Sequence, residues 1–145
     1  AGGGISINYA AHSLDKICYL TQSDIAWATG SCTYLQPGTD VDGSAQMLLR
    51  TSSGISASIS LCGYSVVPID ETMLFFANGS LRLHTGSDLS VTCGSGYETV
   101  DTSSYPNAFE AQWADFISGV RAGRILYCDG TYGASIVRTI ELLYH

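Results

Sequence analysis

The chain has 145 residues, of which 46% are hydrophobic and only 13% charged, and its net charge is −7. This length fits one domain with its own core, and the hydrophobic fraction argues against disorder. Nucleic acids and anionic membrane surfaces are bound through basic surfaces, so the acidic balance argues against both partners. No apolar run is long enough to span a membrane, and no basic segment followed by an apolar stretch predicts a signal peptide.

The five cysteines are widely spaced and form no C-x-x-C pair, so neither a zinc knuckle nor a redox motif is predicted. An odd number of cysteines at wide spacing is typical of reduced thiols. We therefore expect a cytoplasmic protein in which the cysteines are small core residues. They are Cys18, Cys32, Cys62, Cys93 and Cys128.

The first predicted element is a helix over residues 5–20, which follows a glycine-rich start. Its apolar residues recur at helical spacing from Ile7 to Cys18. A second, polar set shares another face of this helix, because its members are three or four residues apart. The polar set consists of Asn8, His12, Asp15 and Tyr19.

Residues 24–93 mix β-branched and aromatic residues with small polar ones, which predicts about six strands. The first passes through residues 25–27 and 31–35 and ends at a break over 36–38; the others cover 44–50, 55–61, 72–77, 80–84 and 89–93. Strand 55–61 alternates strictly, which predicts one apolar face and one serine face. The pair Asn78-Gly79 predicts a type I′ hairpin turn, because both residues tolerate positive φ.

Two helices are predicted after the strands. The first has an apolar stripe and ends at Gly123, and Asp129 is the expected N-cap of the second. The stripe consists of Phe109, Trp113, Phe116, Ile117 and Val120. We expect both tryptophans, Trp27 and Trp113, to be core residues. This order of elements predicts an α+β fold with an open, predominantly antiparallel sheet of about six strands and helices packed on one face.

The polar set on the first helix is the candidate site. The pKa of histidine lies near neutrality, so His12 could act as a general acid or base. Asp15 could orient the imidazole or contact a polyol, and Asn8 could hydrogen-bond a substrate hydroxyl. The alternative is a solvated helix face on which His12 has a structural hydrogen bond. His12, His84 and His145 are too far apart in the sequence to suggest a metal cluster, and no phosphate-binding or dinucleotide glycine motif is present.

The segment GGGISINYAAHSLD, from Gly2 to Asp15, resembles the G-G-G-x3-[N/D]-x3-H-x2-D signature of the glucose–fructose oxidoreductase / inositol dehydrogenase / MocA (Gfo/Idh/MocA) family. A glycine hairpin over 50–55, an Asn-Gly hairpin over 75–81 and an aromatic-rich helix over 109–121 match the same family in order. The resemblance covers essentially the whole chain. It implies the fold of a dihydrodipicolinate reductase-like C-terminal domain.

The resemblance further implies that residues 1–145 are a single C-terminal domain for substrate binding and oligomerisation in an NAD(P)-dependent sugar or polyol oxidoreductase. His12 matches the family's catalytic histidine, which takes the hydroxyl proton of the substrate. Asn8, often aspartate in the family, and Asp15 match substrate-binding positions.

Other properties follow from the same resemblance. NAD or NADP would be bound by an N-terminal Rossmann domain with a Glu-Lys-Pro motif, and both are absent from this chain. The expected partners are that domain, a sugar or polyol substrate, and further copies in a homodimer or tetramer formed through the sheet face. The chain alone is expected to be inactive, and it is predicted to contain no cofactor-binding or metal-binding residues.

Two alternatives remain open at this point. The chain could be a stand-alone, non-catalytic module that homodimerises through its sheet face. It could instead be a small carbohydrate-binding protein that uses Trp27, Trp113 or its tyrosines.

Overall fold

The structure, a computed structural model, describes residues 3–34, 40–64 and 66–144. The predicted break at 36–38, Gly2 of the glycine motif and His145 lie outside those residues. The chain divides into two compact units, the first formed by Ala1–Ser65 with Tyr127–His145 and the second by Val66–Leu126.

The first unit begins with a π-helical turn, Ser6–Ala10, that continues into helix α1, Ala11–Thr21. Strands β1 (Ile25–Tyr34), β2 (Asp42–Thr51) and β3 (Ser56–Cys62) follow and form an antiparallel sheet in that order. The C-terminal part of the unit is helix α2, Gly130–Glu141, which ends in a 3-10 turn, Leu142–Tyr144. Asp129 is its N-cap, as predicted.

The core of the first unit lies between the helices and one face of this sheet. Alternate residues of β2 are buried there, as the two-residue period of a strand requires. The buried apolar residues are Ala10, Leu14, Cys18, Ala45, Met47, Leu49, Ile59, Ile136, Ile140 and Leu143. The prediction that helices pack on one face of the sheet is confirmed.

The opposite face of the sheet is exposed and rich in hydroxyl groups. Ser56, Ser58 and Ser60 lie on it, as strict alternation along the strand predicted. Trp27 lies there as well and is 53% exposed, so its prediction as a core residue is wrong. The reason is a bulge in β1: Ile25 pairs with Thr51 but Trp27 pairs with Arg50, which turns the indole to the exposed face.

The second unit contains a four-stranded antiparallel sheet and one helix. Strands β4 (Glu71–Phe76), β5 (Gly79–His84), β6 (Asp88–Thr92) and β7 (Glu98–Val100) pair in chain order. The helix, α3, spans Ala108–Ala122 and has Gly123 at its C-cap, as predicted. In order along the chain, α3 precedes α2.

The α+β class and the antiparallel pairing are confirmed, but the single sheet of about six strands is wrong. Within the described residues, seven strands form two sheets, of three and four strands. The residues between β3 and β4, 63–70, include Pro68, which has no N–H for a ladder, and β3 and β4 are not paired in the described chain. β7 has only three residues and follows Gly94 and Gly96, so it carries too little pattern to be predicted.

The predicted Asn-Gly hairpin exists, but its turn differs from the prediction. Phe76 pairs with Gly79, so Ala77 and Asn78 form the turn, and neither has a positive φ. Gly79 lies in β5, where a Cβ would overlap the carbonyl oxygen of Thr92. Glycine is therefore required here by the close approach of β6 and not by a type I′ turn.

Apart from the half-buried Ile117, the apolar stripe on α3 is exposed and not buried as predicted. Phe109, Trp113, Phe116 and Val120 are 81%, 65%, 42% and 61% exposed. The helical period was predicted correctly, but a period shows only that the residues share a face and not what covers that face. Trp113 is thus the second tryptophan whose core prediction is wrong.

The cysteines divide between interior and surface. Cys18 is buried on α1, which raises the pKa of its thiol, and Cys32 is half-buried. Cys62, Cys93 and Cys128 are exposed, so their prediction as core residues is wrong. Within the described ranges, no helix is both long and apolar enough to span a bilayer.

Candidate functional site

The helix that carries the candidate site is fixed at its N-terminal end by Asp42, the first residue of β2. One carboxylate oxygen, Oδ2, accepts hydrogen bonds from the Ser6 backbone N–H at 2.8 Å and from the Ser6 hydroxyl at 2.7 Å. The other, Oδ1, accepts one from the Tyr144 hydroxyl at 2.9 Å. The carboxylate thus satisfies an N–H of the first helical turn and places negative charge where the helix dipole favours it.

Asp42 is only 2% exposed, so these bonds determine its charge state. Burial alone raises the pKa of its carboxyl, but the bonds from Ser6 and Tyr144 outweigh burial and hold that pKa below its ordinary value. Burial and the bond to Asp42 in turn raise the pKa of Tyr144 to about 12, so its hydroxyl remains a donor.

Gly4 explains the last glycine of the G-G-G motif. It is buried, and a Cβ at this position would overlap the carboxylate of Asp42 and lie 2.8 Å from the Asp42 backbone nitrogen. Its φ is not positive, so the requirement is for space and not for an unusual backbone conformation. The motif therefore allows the carboxylate to approach the start of the helix.

The structure places Asn8 and His12 on the exposed side of this helix, opposite the buried Leu14 and Cys18. In the part of the chain that the structure describes, no hydrogen bond joins His12 to Asn8 or Asp15. The imidazole is exposed and thus accessible to a small molecule.

Asp15 is half-buried and has a partner that the sequence did not indicate. The hydroxyl of Tyr132, in the first turn of α2, donates to Asp15 Oδ1 at 2.6 Å. Burial and this bond raise the pKa of the Tyr132 hydroxyl far above its ordinary value, which keeps it a neutral donor. Asp15 therefore connects the site helix to α2.

Tyrosine rings surround the C-terminal end of the polar face. Tyr127 lies between Tyr19 and Tyr132, at centroid distances of 5.7 Å and 5.1 Å. A cavity of about 280 Å³ opens beside them and is lined by Tyr127, Tyr132, Cys18 and Asp24 among other residues. The predicted polar set thus divides into an open end, at Asn8 and His12, and an end bordered by aromatic rings, at Asp15 and Tyr19.

A second histidine, in the other unit, has a different environment. His84 on β5 contacts Asp88 Oδ1 through Nδ1 and Glu71 Oε2 through Nε2, both at 2.9 Å. The hydrogen bonds to Asp88 and then Glu71 raise the pKa of His84. Both ring nitrogens bond to carboxylates, so His84 links β5 to its two neighbouring strands, β4 and β6. The hairpins predicted between these strands could have suggested this row of side chains.

The described residues show neither a dinucleotide site nor a metal site. Each of their strand pairs is antiparallel, whereas a dinucleotide is held at the turn of a parallel βαβ unit. A Rossmann-type dinucleotide turn is therefore not found among the described residues. Among the same residues, no group of three or more His, Cys, Asp or Glu side chains could hold a metal ion.

Solved structures share this fold. UDP-N-acetylglucosamine 3-dehydrogenase GnnA from Acidithiobacillus ferrooxidans matches 97% of the chain with a TM-score of 0.81 and 18% identity. Aldose-aldose oxidoreductase from Caulobacter crescentus, complexed with glycerol, matches 99% with a TM-score of 0.86 and 20% identity. Levoglucosan dehydrogenase in complex with NADH matches 99% with a TM-score of 0.85 and 17% identity. Identities this low establish the fold alone.

The chain spans about half the length of these proteins, 46%, 45% and 48% respectively. A search of curated proteins finds no significant match.

A family model supplies the assignment that the fold alone does not. A sequence model described as the GFO/IDH/MocA C-terminal domain matches residues 1–82, which include the glycine motif, the site helix and the strands of the first unit. These residues are more than half of the 145-residue chain. The chain therefore belongs to the GFO/IDH/MocA C-terminal domain family.

Proposed function

We propose that this chain is the C-terminal, substrate-binding domain of an NAD(P)-dependent sugar or polyol oxidoreductase and that His12 is its general base. The observation that carries the proposal is the contrast between the two described histidines. His84 has both nitrogens bonded to carboxylates, whereas His12 is exposed on the same helix as Asp15. Membership of the family makes the exposed histidine the candidate for chemistry.

In the proposed reaction a substrate hydroxyl is oxidised to a carbonyl. His12 takes the hydroxyl proton on a free ring nitrogen, which requires hydrogen-bonding distance to the substrate oxygen. Asn8, one turn earlier, donates to or accepts from a neighbouring hydroxyl, since an amide can do both. Asp15 accepts from another hydroxyl through its unoccupied oxygen. The nicotinamide, when bound, supplies the acceptor for the hydride.

The cofactor is proposed to be held by a separate Rossmann domain of the parent enzyme, because the described strand pairs are all antiparallel and provide no Rossmann-type turn. The matched solved structures are about twice as long as this chain, which leaves room for such a domain. Exposed apolar side chains on the site helix, Ile7 and Tyr9, are available to contact it. We place the enzyme in the cytoplasm, because its cysteines fit a reducing compartment.

The coding sequence upstream of Ala1 and a cofactor assay test the proposal together. We expect an in-frame segment with G-x-G-x-x-G after its first strand and a later Glu-Lys-Pro. The encoded two-domain protein should reduce NAD⁺ or NADP⁺ with a sugar or polyol, and the 145-residue chain at the same concentration should not. Turnover by the isolated chain, or a start codon directly before Ala1, would contradict the proposal.

We also propose that the exposed face of the β1–β2–β3 sheet forms the interface between the subunits of a homo-oligomer. Its only charged side chain among the described residues is Arg50, and it carries Trp27 and Leu48, which is 57% exposed. Few charges and an exposed tryptophan are typical of interface centres.

Light scattering over a range of concentrations tests this surface. We expect a dimer or tetramer that Leu48→Glu dissociates and that Val137→Glu, at an exposed position on α2, leaves intact. A strict monomer at about 100 μM would contradict the proposal, since interfaces of standard size normally associate well below that concentration.

A further inference from the structure

Asp15 is held at one oxygen and unoccupied at the other. Its Oδ1 accepts the hydrogen bond from Tyr132, while no described residue bonds to its Oδ2. It lies three residues after His12 on the same helix, and residues at that spacing share a face. A carboxylate oxygen that can accept a hydrogen bond is therefore held on the face that carries the proposed base.

Tyr132 is itself held firmly. Its backbone N–H donates to the N-cap, Asp129, at 2.8 Å, and its ring contacts that of Tyr127. The helix that carries it is anchored in the core by Ile136 and Ile140. A side chain on a helix that is packed against the core can orient a neighbour with little movement of its own.

We infer that Tyr132 is a positioning residue for the proposed reaction: it holds the Asp15 carboxylate so that Oδ2 accepts a hydroxyl of the bound sugar or polyol. This inference rests on the proposed function. If the carboxylate is already ordered before the substrate binds, the free energy of binding does not include the entropic cost of ordering that side chain. The hydroxyl of Tyr132 thus acts on substrate affinity through Asp15, with no contact to the reacting atoms.

The second Tyr–Asp pair of the same unit provides a matched control. Tyr144 donates to Asp42, but there both carboxylate oxygens are occupied and the residue is only 2% exposed. That carboxylate has no free oxygen for a substrate. Without the Tyr144 hydroxyl, Asp42 keeps its two hydrogen bonds from Ser6. Loss of the Tyr144 bond should therefore affect only the stability of the fold.

The test compares Tyr132→Phe with Tyr144→Phe in the two-domain enzyme. Each variant loses one hydroxyl bond to a carboxylate, so both should be less stable to urea. Only Tyr132→Phe should raise KM for the sugar or polyol, by about 2- to 10-fold, the effect of one disordered side chain. Its kcat and its KM for NAD(P)⁺ should stay within about 2-fold of the wild type.

A measurement on the 145-residue chain tests the contact itself. The ¹³C carboxyl resonance of Asp15 should shift in Tyr132→Phe and not in Tyr144→Phe; an unmoved resonance would overturn the inference. Equal substrate KM in the two variants would also overturn it, while loss of kcat in a His12 variant would keep the proposed function intact. If the two-domain protein shows no NAD(P)-dependent turnover, the proposed function fails and the inference fails with it.

Discussion

Replacement of His12 by alanine in the two-domain enzyme is expected to lower kcat by about 10²- to 10⁴-fold, the usual contribution of a general base. The dissociation constant of the nicotinamide cofactor should remain nearly unchanged, because the proposed function places the cofactor-binding residues in the separate Rossmann domain. The loss should appear equally in kcat and kcat/KM, since proton transfer occurs only in the transition state. Steady-state kinetics and a cofactor titration by fluorescence measure both quantities.

His12→Gln and His84→Gln form the matched comparison for this result. Glutamine keeps the size and polarity of the side chain but cannot accept a proton at neutral pH. His12→Gln should be as slow as His12→Ala, whereas His84→Gln should keep its kcat, because both nitrogens of His84 already bond to carboxylates. A full kcat in His12→Gln would remove His12 from the mechanism and leave the exposed face of α1 as a binding surface only.

The site helix could be predicted from the sequence because its determinants are local. Three- and four-residue spacings place Asn8, His12, Asp15 and Tyr19 on one face whatever the rest of the chain does. Strict alternation in β3 likewise predicted which side of the sheet each serine occupies.

The contacts that position this helix could not be predicted, since they join distant parts of the chain. Asp15 and Tyr132 are 117 residues apart, and Asp42 is 36 residues from Ser6 and 102 from Tyr144. No periodicity indicates such pairs.

The wrong predictions also arise from features of the fold that local spacing does not indicate. Trp27 faces outward because one bulge in β1 shifts its register, and a bulge of one residue leaves no signal in an alternating pattern. The stripe of α3 shows that amphipathic spacing reports a shared face and not its burial.

Gly4→Ala is expected to cause the largest loss of stability, about 3 kcal/mol or more in the free energy of unfolding. The new Cβ would overlap the Asp42 carboxylate, and a displaced Asp42 loses charge-assisted hydrogen bonds worth about 1.5–3 kcal/mol each. Gly133→Ala is the matched control, because it lies exposed on α2 with no atom within 4 Å of its added Cβ. That variant should be neutral or up to about 1 kcal/mol more stable, since alanine is the better helix former.

At acid pH, the difference in the free energy of unfolding between Gly4→Ala and the wild type should be smaller. This pH dependence distinguishes damage to the Asp42 contacts from a general packing defect. The pKa of Asp42 is lower in the folded chain than the ordinary value of 3.8, so the folded state favours the charged carboxylate. Its contribution is therefore complete above that ordinary value and is lost as the pH falls through the lower, folded-state pKa. Urea unfolding followed by circular dichroism at pH 7 and near pH 3 should show the wild type approaching the variant. A difference of the same size at both pH values would mean that Gly4 is needed for packing against the backbone of Asp42 and not for its charged hydrogen bonds.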